Sequence, residues 1–184
     1  MIKLDKLICY YINLDIDHTR NDHCIKLLYD MSFDEINRVV PINKMSSEIG
    51  DDEKKCTRCR HCKGYGKPRG FKSLTMTTQK IFKEILDRDD DTFYFIFEDD
   101  IELTSNIERK DFTKILRNDF LNINDNVDFV YIGLIIPNTE VHDKIKPFDP
   151  NNANGYATHA YAINKKGIKE LLRRIPCLHQ PIDG

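Results

Sequence analysis

Phe93-Tyr94-Phe95-Ile96-Phe97-Glu98-Asp99-Asp100 sets five apolar or aromatic residues directly against three acids. The apolar half reads as a buried strand. Three carboxylates at the end of such a strand cannot all be buried without partners, because an unpaired buried charge shifts its pKa until the group is neutral. The simplest resolution is a divalent cation at the C-terminal edge of a parallel sheet, the edge at which open α/β folds bind their ligands. Hard oxygen ligands suit Mg2+ or Mn2+, ions that commonly bridge protein carboxylates to substrate phosphates. The competing reading is a solvated strand-to-loop turn.

The chain around this run is long enough, at 184 residues, to bury a core as one domain, 1–184. Its charged fraction of 32% against 40% hydrophobic residues is that of a soluble, rather polar globule. A formal charge of -2 gives no whole-molecule attraction to nucleic acid or to an anionic membrane. No apolar run approaches the roughly 20 residues of a spanning helix. The apolar run at 7–12 is followed by Asn13 and Asp15 without a small-residue cleavage site, so it reads as a strand and not as a signal peptide. With no targeting segment a cytoplasmic location is expected, and the six cysteines are expected to be thiols or metal ligands and not disulfides.

Strand patterns at 7–14, 36–42, 129–136 and 157–163 accompany the acid-tipped strand. Helical patterns follow at 19–31, with Asp17 or Thr19 as cap, at 73–88, at 108–121, and at 165–174 behind Asn164. Strands alternating with helices imply a layered α/β sheet, mostly parallel. A polar, Cys/Lys/Arg-rich stretch at about 43–70 reads as an insertion, since structureless loops of that length are uncommon and usually functional or disordered.

Three further clusters carry chemistry. Asn13-Leu14-Asp15, with Arg20 opening the next helix, forms a first strand-to-helix turn, where free N–H groups favour phosphate. No glycine-rich fingerprint is present, and an Asx turn with a surface arginine accounts for the same residues. Cys56, Cys59 and Cys62 have the x-x spacing of zinc ligands, the fourth to come from Cys24, Cys9 or a histidine; a solvated basic loop is the alternative. His159 sits on a small-residue strand, Gly155-Tyr156-Ala157-Thr158-His159-Ala160-Tyr161-Ala162. A lone histidine there is more often a hydrogen-bonded core residue than a ligand.

Taken in order, these segments resemble glycosyltransferase family 25, which includes bacterial lipopolysaccharide galactosyl- and glucosyltransferases and procollagen galactosyltransferases. Ile12-Asn13-Leu14-Asp15 with Arg20 is similar to the family's "INLD…R" opening, and Phe97-Glu98-Asp99-Asp100-Ile101-Glu102-Leu103 to its "LEDDVEL". Asp128-Phe129-Val130-Tyr131-Ile132-Gly133 resembles "DLLYLG". Thr158-His159-Ala160-Tyr161-Ala162-Ile163 resembles "THAYAI", and Pro181-Ile182-Asp183 the later "PVD". Leu74 stands where the family usually has a histidine.

The resemblance implies a GT-A-like three-layer α/β/α fold with a mostly parallel central sheet. It implies an inverting hexosyltransferase that uses a nucleotide-sugar donor, usually a UDP-hexose, with Mn2+ or Mg2+ and a glycan or protein acceptor. On this reading Asp99 and Asp100 are metal ligands. Asn13, Asp15, Arg20, Glu98, Thr158 and His159 lie on the donor side, and Asp183 is the catalytic base or an acid that orients the acceptor. A structural Zn2+ at the cysteines would be separate from the chemistry. Two alternatives stand: a degenerate glycosyltransferase-fold binding module with a zinc loop, and a metal-dependent phosphohydrolase using the same acids.

Overall fold

The computed structural model of the protein describes residues 4–49, 69–103, 108–123, 125–135 and 156–174. The expected acid-tipped strand is β3, Tyr94–Glu98. It lies beside β1, Ile8–Ile12, whose five residues are all buried. Both strands sit inside a five-stranded sheet of order β2-β1-β3-β5-β4. That position explains their unbroken apolar runs, since an inner strand covered on both faces has no solvent side to make polar.

Alternation along these strands divides the core in two. Cys9, Tyr11, Phe95 and Phe97 point to one face. There they meet Cys24, Leu27 and Leu28 of α1, His18–Asp30, and Phe112, Leu116 and Phe120 of α3, Arg109–Leu121. Ile8, Tyr10, Ile12, Tyr94 and Ile96 point to the other face. Ile81, Phe82 and Ile85 of α2, Arg69–Leu86, and Ile168 of α4, Lys165–Arg174, cover that side. The result is helices on both faces of one sheet.

Helix ends follow the expected chemistry. Asp17, not Thr19, caps α1 by accepting from the Arg20 N–H at 3.1 Å. Asn164 caps α4, its Oδ1 accepting from the Gly167 N–H at 2.8 Å. A Cβ at Gly167 would lie 2.5 Å from the Asp128 carbonyl oxygen, so only glycine lets α4 pack this close to the start of β4, Phe129–Ile135. At the far end of α1, Ser32 N–H donates to Tyr29 O at 2.9 Å and Phe33 N–H to Leu28 O at 3.3 Å. This paired closure needs a left-handed residue, and Ser32 supplies it with φ of 60°. The turn throws Phe33 into the core, edge-on to Phe95 and Phe97 at 5.4 and 5.6 Å. The chain then enters β2, Glu35–Val39.

The sheet is mixed, with four of its five strands in one direction: β1 pairs in parallel with β2 and β3, while β5, Tyr156–Ile163, runs against the rest, antiparallel to both β3 and β4. Alternation marks β5 as a strand but carries no information about its direction. Of the segment at 43–70, the described parts are residues 43–49, which end in a short 3-10 turn at Ser47–Ile49, and the first residues of α2, which begins a turn earlier than the periodicity indicates. No helix among the described residues is long and apolar enough to cross a membrane.

At the N-terminal edge, Arg88 bridges Glu35 at 2.7 Å and Asp90 at 2.9 Å, while Lys6 reaches Glu35 at 2.6 Å. The Arg88 guanidinium lowers Glu35 from 4.5 to about 2 and Asp90 from 3.8 to about 2, against the opposing effect of burial.

Two outcomes follow from these features. Depressed carboxylate pKa values mean stability that is complete above the unfolded values and disappears as pH falls. Denaturant midpoints should therefore drop steeply from about pH 4.5 toward pH 2, and Arg88→Met should flatten that slope while lowering stability at neutral pH. Ser32→Gly relieves the left-handed backbone and should stabilise the fold by about 0.5–1 kcal/mol in urea titration.

Candidate functional site

Ile12 pairs with Glu98, so the next residues, Asn13 and Asp99, emerge together at the C-terminal edge of the sheet. They continue the face of Tyr11 and Phe97, toward α1. The Asp99 carboxylate is gripped there at both oxygens: Asn13 Nδ2 donates to Oδ2 at 2.8 Å and Arg20 Nη1 to Oδ1 at 3.1 Å. Only 13% of the Asp99 side chain is exposed. Its hydrogen bond holds the Arg20 guanidinium still more firmly protonated.

Asn13 is buried and fully engaged. Its Nδ2 also donates to the Asp17 carbonyl at 3.2 Å, tying the strand end to the α1 cap. Its Oδ1 accepts from Arg38 Nε at 3.1 Å and Nη2 at 2.8 Å. Arg38 Nη2 reaches Asp15 as well, at 3.1 Å. Arg38 belongs to β2, and nothing in the sequence marks it for the site: a charged residue on an edge strand reads as solvent-facing.

Glu98 points to the opposite face, and β5 meets it there. Because β5 is antiparallel, with Phe97 opposite Ala160, its residue 159 falls beside the end of β3. His159 Nδ1 lies 3.3 Å from Asp100 Oδ1 and 3.8 Å from Glu98 Oε2. One ligand atom from each of Glu98, Asp100 and His159 lies within 4.8 Å of the others, a group that could hold a metal ion. The donor set fits such an ion: His159 Nδ1 is buried without a hydrogen-bond partner. The mixed oxygen–nitrogen set suits Mn2+ better than Mg2+, which prefers an all-oxygen shell. Two residues along β5, the Tyr161 hydroxyl is also buried without a partner, its pKa raised by burial and then by the charge of Glu98.

The expected site residues thus fall into two adjoining sets. Asn13, Asp15 and Arg20 gather with Asp99, which was expected to ligate metal. Glu98 and His159, expected beside the donor, join Asp100. Strand alternation causes the split, because consecutive residues Glu98 and Asp99 leave the sheet on opposite sides. Thr158 lies on β5 with its side chain outside the described residues, and Cys56, Cys59, Cys62 and Asp183 fall outside them altogether. Cys9 and Cys24 are buried free thiols. Burial, with the charges of Asp99 and Asp100, pushes Cys24 up to about 12. Two more residues at the site escape sequence reasoning. Tyr161 reads as an ordinary core aromatic. His23, which pairs with Glu102 at 3.1 Å, stands one helical turn after Arg20, a spacing that puts it on the same face of α1.

The chain matches no protein-family model and no curated protein sequence.

Asn13→Leu should destabilise the fold by about 2–4 kcal/mol in urea denaturation, because it leaves Asp99, the Asp17 carbonyl and the Arg38 guanidinium each short of a partner.

Proposed function

We propose that this chain is a metal-dependent glycosyltransferase. It moves a hexose from a nucleotide sugar, a UDP-hexose on the family resemblance, to a hydroxyl of a glycan or protein acceptor, with inversion. One observation carries the reading: Glu98, Asp100 and His159 converge at the C-terminal edge of the sheet. These residues come from the "EDD" and "THAYAI" segments, the most specific parts of the resemblance.

Glu98, Asp100 and His159 would hold the ion, Mn2+ by preference. Such a cation, when bound, would supply positive charge to offset the charge that develops on a leaving diphosphate. The protein's own contribution is placement. Asp99, held by Asn13 and Arg20, keeps the turn after β3 in one position and is committed to that role by its partners. Asn13, Asp15 and Arg20 line the β1–α1 turn on the donor side. Asp183 takes the acceptor hydroxyl proton by sequence resemblance alone, as inverting transfer requires a base.

The experiment is release of UDP from a panel of UDP-sugars with Mn2+, with and without acceptors. Acceptor-stimulated release is expected. Release that acceptors never increase would mark a phosphohydrolase, and Mn2+ binding without any release would mark a binding module. Asp100→Asn and His159→Ala should each weaken Mn2+ binding by about ten-fold or more and cut release by a comparable factor or more. Wild-type Mn2+ affinity in both variants would remove these residues from the site.

A further inference from the structure

We infer that Arg38 is a positioning residue for the acidic edge. It acts through Asn13 and Asp99 on the placement of Glu98 and Asp100. The inference rests on the metal reading above and extends it to a strand that supplies no ligand.

The chain of contacts is continuous and directional. Arginine only donates, so the two bonds from Arg38 Nε and Nη2 force the Asn13 amide to present its oxygen to β2. The Asn13 nitrogen must then face Asp99 and the Asp17 carbonyl. With the opposite amide orientation, two oxygens would face each other across the Asn13–Asp99 contact, and two sets of donors would face across the Asn13–Arg38 contact. Asn13 is 1% exposed, so water cannot offset that mismatch.

Asp99 is the next link. Asn13 takes Oδ2 and Arg20 takes Oδ1, which orients the carboxylate on the α1 face. The neighbours of Asp99 in the chain are Glu98 and Asp100, and orienting the residue between them sets both toward His159. Arg20 alone is a weaker clamp, because its side chain is 54% exposed. The buried half of the grip therefore comes from Asn13, whose orientation Arg38 determines. Arg38 shares its face with Tyr11, its register partner, and touches none of the three candidate ligands in the contacts above.

The test is Mn2+ affinity of the full chain, by electron paramagnetic resonance of free Mn2+, beside thermal unfolding. Arg38→Gln should weaken Mn2+ binding by about ten-fold while the protein remains folded, a loss typical of groups that orient ligands. Arg38→Lys keeps the charge but cannot form the two-pronged bond, so it should fall between the wild type and Arg38→Gln. Arg173→Gln, on the outer side of α4, controls for loss of charge and should bind as the wild type does. Equal Mn2+ affinity in wild type and a folded Arg38→Gln overturns this inference and leaves the metal reading intact. A wild type that takes up no Mn2+ overturns both. Mn2+ binding without nucleotide-sugar turnover removes only the transferase reading, and the affinity comparison still decides the role of Arg38.

Discussion

The acidic edge depends on how β3 is paired on its two sides. In-register parallel pairing with β1 sets Asn13 level with Asp99. Antiparallel pairing with β5 sets His159 level with Glu98. Neither neighbour could change direction without dismantling the site. A parallel β5 would carry His159 toward the N-terminal edge, and a one-residue slip would turn it to the opposite face. The backbone ladder therefore does for this site what covalent attachment would do in a small molecule.

Alternation along β3 then gives adjacent acids different tasks. Asp99 enters a nearly closed network of nitrogen donors on the α1 face, where its charge is met twice over. Glu98 and Asp100 face the His159 imidazole on the other side, in a group that could hold a metal ion. A braced carboxylate thus stands between two acids that face His159. The brace can be rigid because its partners come from β1, β2 and α1, each anchored in the core.

The opposite edge of the sheet offers a physical contrast. Arg88 there unites Glu35 and Asp90 into an ion network that also takes in Lys6. Its positive and negative groups pair off, and their shifted pKa values follow from that pairing. Perturbed titration alone would single out this cluster as a site. Composition argues otherwise: positive and negative groups matched in this way form a network that stabilises a fold, and such networks shift pKa values without marking a site.

Much of the architecture was legible in the residues themselves. The apolar run that leads into Glu98, the capping chemistry of Asp17 and Asn164 and the period of α2 and α3 follow from local physics, which acts over a few residues and leaves its mark in the pattern. The position of the three acids at the end of an inner strand was likewise encoded. What the sequence could not carry was direction and face. An alternating strand looks the same read either way, so the reversal of β5 appeared only in the sheet. The role of Arg38 was hidden for the same reason, since a charged residue on an edge strand declares its partner only once β1 lies beside it. Local chemistry determined which elements form and which groups they bear. Long-range hydrogen bonding between strands decided which of those groups meet, because pairing direction and register are properties of two segments and not of either one.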